Sequence, residues 1–196
     1  MQAFSSVSST DRGVDDLIRL DHKSLWELHD RYLAMAGNDD AQTAVANELI
    51  REIVQHSSAE ELTVYAAIEE HEGKEVADKL RSDHQTVRNQ LYQLQSMRTT
   101  SPQHASLLSQ VMTELRSHAR EEEESDLPML RAKIGDANMV TLGHKFSGAK
   151  KMAPTNPHPS APIKPIAEAI AGMFTKPIDK VADLGKDFAG RAVPEE

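Results

Sequence analysis

Apolar side chains recur at three- and four-residue intervals along four long stretches of the chain, the period of an amphipathic helix. Short breaks separate them. Gly37-Asn38-Asp39-Asp40 follows the first stretch, Gly73 the second, and Thr99-Thr100-Ser101-Pro102 the third. Glycine ends helices, Asn and Ser cap them, and proline suits the first turn, so helices are expected over residues 13–36, 40–71, 74–97 and 102–134. Connections this short between long helices join antiparallel neighbours. The expected fold is all-α, an up-down-up-down four-helix bundle over residues 13–134.

Beyond Gly135 the character changes. The stretch PTNPHPSAP, with Pro165 close behind, reads as an extended connector, and residues 135–165 are expected to form a Pro-rich linker. Ile166, Ile170, Met173 and Phe174, then Ile178, Val181, Leu184 and Phe188, return to helical spacing on either side of Pro177. Residues 166–196 are therefore expected to be a tail of short amphipathic helices that packs on the bundle, on a protein partner or on a second copy. The linker composition marks a boundary and no candidate ligand lies beyond it, so removal of everything after about residue 150 is expected to leave the bundle folded and metal-bound.

Charge and composition narrow the partners. The formal charge of −9 lacks the clustered Lys and Arg that a nucleic-acid surface needs. Residues 1–134 hold 24 acids against 14 bases and residues 135–196 hold 7 against 8, so the acidity belongs to the helical part. The chain has no cysteine, which excludes disulfides, thiolate zinc sites and iron–sulfur clusters; a metal must bind through His, Asp or Glu. The start, MQAFSSVSSTDRG, lacks the apolar run of a secretory signal, and no window approaches the roughly 20 apolar residues of a membrane span. A cytoplasmic protein is the expectation.

The apolar stripes carry polar intruders. In the first helix the stripe runs Val14, Ile18, His22, Leu25; in the second Leu49, Ile53, His56, Glu60, Val64. In the third it runs Val76, Leu80, His84, Val87, Leu91, and in the fourth Leu108, Val111, Leu115, His118, Glu122, Met129. A Glu four residues after a His shares its face about one turn on, which makes His56/Glu60 and His118/Glu122 chelating pairs. Burying these groups without a common partner would cost several kcal/mol. A cation supplies that partner.

The halves also match. His22, His56 and Glu60 reappear 62 residues later as His84, His118 and Glu122, and Asp21 with Asp83 and Glu61 with Glu123 keep the same offset. This reads as a duplicated helix pair, each copy giving two imidazoles and one carboxylate. Within the run of glutamates at 121–124, Glu122 is the one in line with His118; an auxiliary role for Glu61 and Glu123 stays open. His29, His71, His104, His144 and His158 lack the arrangement and are expected in solvent or in local hydrogen bonds.

At these residues the sequence resembles the hemerythrin-like family, whose cation-binding domain carries a His, a His-x-x-x-Glu, another His and a second His-x-x-x-Glu. Here those are His22, His56 to Glu60, His84, and His118 to Glu122. The PTNPHPSAP tail is similar to tails of fungal members. The resemblance implies a non-haem site of two iron ions, with Glu60 and Glu122 bridging and the imidazoles terminal. One departure is Arg88, where oxygen carriers of the family place a further His. Four imidazoles leave more open positions than five, which points from a reversible carrier to a reactive or sensing centre.

Imidazole and carboxylate donors suit iron, manganese or zinc. The leading expectation is a di-iron protein that binds or reacts with O2, peroxide or NO in a sensing, scavenging or iron-handling role. The alternatives are a ferritin-like di-iron oxidase or peroxide-consuming enzyme, which turnover would reveal, and an iron storage or delivery module, which loose metal exchange would reveal.

Overall fold

The computed structural model describes residues 12–159, 179 and 183–192. Four long helical rods form the bundle, two of them interrupted. The first is α1 (Val14–Ala34); the second is α2 (Asp39–Leu62) continued by α3 (Val64–Glu72); the third is α4 (Lys74–Gln95). The fourth is α5 (Pro102–Glu121), which passes through a π-helical turn, Glu122–Asp126, into α6 (Leu127–Ile134). The start signals act as expected: Asn38 accepts a hydrogen bond from the amide of Ala41 at 3.2 Å, and Ser101 accepts one from that of His104 at 3.2 Å. No helix among the described residues is long and apolar enough to cross a membrane.

The duplication is visible in the backbone. Both second and fourth rods are interrupted close to their chelating glutamates, at Thr63, three residues after Glu60, and at the π turn that begins at Glu122. Both then end at a glycine of positive φ, Gly73 at 106° and Gly135 at 79°, positions again 62 apart, where a Cβ would be strained. The extra residue of the π turn also moves the phase of α6. Met129, expected on the core stripe, is 45% exposed, and Leu127 and Leu130 are fully buried in its place.

The core divides into two apolar layers. One gathers Leu25, Leu28, Leu49, Ile53, Leu91, Leu108 and Val111; the other Val14, Ile18, Tyr65, Ile68, Leu80, Leu127 and Leu130. His22, His56, His84 and His118 fall between them in every rod. The polar belt therefore separates two water-excluding plugs.

The region expected as linker begins differently. Residues Asp136–Met152 form a further helix, α7, packed on α1 and α2, with Met139, Leu142 and Phe146 buried at helical spacing; the proline stretch that follows hid it. Gly143 is the contact point, since a Cβ there would lie 2.7 Å from the Arg12 carbonyl oxygen. The extended chain starts at Ala153. The tail segment expected helical over 166–174 lies outside the described residues. Residues 183–192 run as a turn and then extended chain, because Gly185 at φ +84° ends any helix before Phe188, and Leu184 is 78% exposed.

Candidate metal centre

All six residues singled out in the sequence meet in the polar belt. His22, His56, His84 and His118 are buried, and Glu60 and Glu122 have no exposed surface. Glu60 lies between the halves, its carboxylate 3.1 Å from Nε2 of His56 and 3.4 Å from Nε2 of His84. Glu122 mirrors it, 3.8 Å from Nε2 of His118 and 3.8 Å from Nε2 of His22. Each glutamate thus faces one imidazole of each repeat. The donor atoms of His22, His56 and Glu60 lie within 4.8 Å of one another, as do those of Glu60, His84 and His118, so either trio has the spacing to hold an ion.

The outward edge of each imidazole meets a carboxylate. Nδ1 of His22 lies 2.7 Å from Glu123 and that of His84 3.1 Å from Glu61; Nδ1 of His56 lies 3.1 Å from Asp21 and that of His118 3.7 Å from Asp83. The pairs exchange under the 62-residue repeat. A carboxylate on Nδ1 places the ring proton there and turns the Nε2 lone pair inward, the arrangement that orients metal-binding histidines. This assigns the auxiliary pair: Glu61 and Glu123 hold the rings of His84 and His22. Asp21 does the same for His56, and Asp83 faces the outer edge of His118 from beyond hydrogen-bond distance, a placement their shared offset had signalled only as agreement between repeats.

Without a cation the belt is badly balanced. All four carboxylate oxygens of Glu60 and Glu122 are buried and receive no hydrogen bond. Burial and the neighbouring Glu60 push the Glu122 carboxyl up to about 8. Burial also works to raise Glu60, but His56, His84 and His22 hold it at about 2. Burial lowers His22 and His84. It would lower His56 as well, yet Glu60 and Asp21 drive that ring up to about 10. His118 reaches about 9 against burial, through Glu122 and Asp83. Protons therefore occupy the place of positive charge in the metal-free protein, and inward lone pairs with orphaned carboxylates fit a metal ion in their stead.

Three residues at the belt were not read from sequence. Tyr65, on α3 and fully buried, points its hydroxyl at Nε2 of His84 and of His118, 3.0 Å from each. Burial and the carboxylates of Glu122, Glu60 and Glu61 keep its phenol protonated in the metal-free protein. Its repeat position is Leu127, so no pairing betrayed it. Lys150 of α7 reaches Asp21 at 2.7 Å and Glu52 at 3.2 Å, and Arg191 of the tail pairs with the same two carboxylates. Burial would raise the Asp21 carboxyl, but His56, Lys150 and Arg191 together hold it well below the ordinary range.

Arg88 turns inward without reaching the glutamates of the belt. Its guanidinium donates to Glu61 at 2.7 Å and to Gln85 at 2.9 Å, so it steadies the carboxylate that steadies His84. Trp26, its repeat equivalent, stacks on His22 with 5.9 Å between ring centroids. The remaining histidines stay apart from the belt's ligand trios: His104 meets the Tyr32 hydroxyl at 3.2 Å and His158 meets Asp179 at 2.7 Å. A cleft of about 290 Å³ opens beside the belt between α4 and α5, lined by Asp83, His84, Val87, Leu115, His118 and Glu121.

A four-rod bundle with a duplicated His and His-x-x-x-Glu belt defines a cation-binding helical domain. The chain belongs to the hemerythrin family, whose HHE cation-binding domain model matches residues 14–130. It is similar to an uncharacterized hemerythrin-like protein of Schizosaccharomyces pombe, 36% identical over 174 residues that cover 87% of this chain and 85% of the relative. No solved structure matches it.

Proposed function

We propose that the chain is a non-haem di-iron protein that binds or reacts with a small diatomic molecule or peroxide, in a sensing, scavenging or iron-handling role. His22 and His56 would hold one ion, His84 and His118 the other, with Glu60 and Glu122 spanning them. The observation that carries this reading is the orphaned carboxylate pair: four buried oxygens without a hydrogen bond, facing four imidazoles, three of which are held at the opposite edge by a carboxylate. Nitrogen and oxygen donors without sulfur suit iron, which when bound would supply electrons and open positions for a small ligand.

The residues of the chain set the conditions. Asp21, Glu61, Asp83 and Glu123 fix ring orientation and raise donor strength. The apolar layers on either side exclude water, and the cleft beside His84 and His118 leaves ample space for a small molecule next to the belt. The near-complete burial of all six candidate ligands disfavours the loose exchange that a delivery module needs.

The test is elemental analysis of protein purified without chelators, followed by titration of the reduced form with NO and azide under optical and paramagnetic-resonance detection. Two irons per chain with a ligand-dependent spectrum support the proposal. Absence of any transition metal after anaerobic reconstitution would overturn it.

A further inference from the structure

The Tyr65 hydroxyl is placed between two imidazole nitrogens of the belt, where one phenol proton cannot serve both once a metal has displaced the second proton of His118. It sits 3.0 Å from Nε2 of His84 and 3.0 Å from Nε2 of His118, the two nitrogens turned toward the interior of the belt. Glu61 takes the Nδ1 proton of His84, so its Nε2 presents a lone pair, and Nε2 of His118 presents one as soon as the second proton that this ring holds in the metal-free protein has left. A phenol has one proton. It can satisfy one of these nitrogens, and its own oxygen lone pairs then face the other.

Three convergent lone pairs are the donor set of a cation. Ligands adjacent on an octahedral ion with bonds of about 2.1 Å are separated by that length times the square root of two, about 3.0 Å. Both Tyr65 contacts have this separation. Tyr65 has no exposed surface and belongs to an apolar layer, so the ring has no room to swing away.

We propose that the Tyr65 oxygen is itself a ligand of the metal held by His84 and His118, an inference that rests on the di-iron reading of the belt. On coordination the phenol O–H bond breaks, the proton leaves to buffer and an oxygen–metal bond forms; no electron is transferred. The centre is then asymmetric. Leu127 stands at the repeat position, so the ion held by His22 and His56 gains no such donor and keeps that position for an exogenous ligand. An anionic oxygen donor also favours the ferric state at its own ion, which sets the two ions apart in reduction as well as in access.

The experiment compares the full chain with Tyr65→Phe after loading with iron and air oxidation. Both proteins are expected to hold the same two irons, and only the unmodified chain to show a visible phenolate-to-iron charge-transfer band with resonance-enhanced tyrosine ring modes. Ring-deuterated tyrosine, incorporated in the unmodified chain, is expected to shift those modes, a readout that does not depend on the variant folding. An iron-loaded chain without the band, or the same band in Tyr65→Phe, overturns the proposal and leaves Tyr65 a hydrogen-bond donor. A chain that takes up no iron overturns the di-iron reading beneath it.

Discussion

Lys150 and Arg191 offer a quantitative test of how the C-terminal region supports the belt. Both cations contact both Asp21 and Glu52, and the side chains of all four are largely buried. Lys150→Met leaves each carboxylate paired with Arg191, so it removes charged hydrogen bonds without stranding a charge and is expected to cost about 1.5–3 kcal/mol. Arg191→Met is expected at or below the lower end, since its side chain is twice as exposed, at 16% against 8% for Lys150, and its segment must be ordered to dock. The double variant removes both of these cations from Glu52 and leaves Asp21 with His56 Nδ1 among the described residues, and uncompensated buried charge costs about 3–5 kcal/mol apiece. Its loss is therefore expected to exceed the sum of the single losses by about 2 kcal/mol or more, which brings a domain of ordinary stability close to unfolding. Urea unfolding of the four proteins, analysed as a double-mutant cycle, measures this excess. Losses that add within about 0.5 kcal/mol would show that the two cations act independently, and the shared clamp would be wrong.

Glu60→Ala and Glu122→Ala are expected to abolish most bound iron, while Glu121→Ala and Glu124→Ala leave it unchanged, because only the first pair faces the imidazoles; metal content per chain reads the difference. Glu61→Gln is expected to weaken metal affinity by about 10–100-fold through loss of the His84 anchor, as followed by competition with a chelator. Arg88→His, which adds an imidazole at the oxygen-carrier position, is expected to lower metal affinity as well, since Glu61 loses its guanidinium. Metal uptake at pH 7 is expected to release about four protons, three from His56, His118 and Glu122, whose values of about 10, 9 and 8 lie above that pH, and one from Tyr65 on coordination; pH-stat titration counts them, and about three would speak against the Tyr65 ligand. The sign for the metal-free fold is opposite. Raised His56 and His118 stabilise it fully below about pH 6.5, and that contribution is lost as pH rises toward 9 and 10, so unfolding midpoints should fall while metal affinity climbs.

What the sequence revealed follows from what repeats. The rods were legible because a stripe of period near 3.6 and end signals such as Gly73 and Ser101 are local properties. The six belt residues were legible because each broke an apolar stripe and recurred at one offset. Lys150 and Arg191 were not, since neither breaks a stripe of its own; each matters through Asp21, a contact across 129 and 170 residues. Helix α7 was masked by the proline stretch that follows it. The π turn was masked because one extra residue alters phase without altering composition, and only the exposure of Met129 exposes the error.

The same logic locates where the two halves have diverged in purpose. Symmetry holds at the four imidazoles, the two central glutamates, the positions of the four outer carboxylates and the paired terminal glycines. It fails at Tyr65 against Leu127 and at Arg88 against Trp26, and both departures crowd polar groups around His84 while the His22 side receives an indole and an aliphatic chain. It fails a third time at Asp21, which α7 and the tail clamp with two cations, whereas Asp83 stays near the cleft with a longer approach to its histidine. Under the di-iron proposal, a tightly clamped half without a tyrosine and a looser, cleft-facing half with one would be unequal places for the two ions. Selective removal of one equivalent of metal by chelator is therefore expected before the second, and a single-phase loss of both would mean that the divergence does not reach the metals.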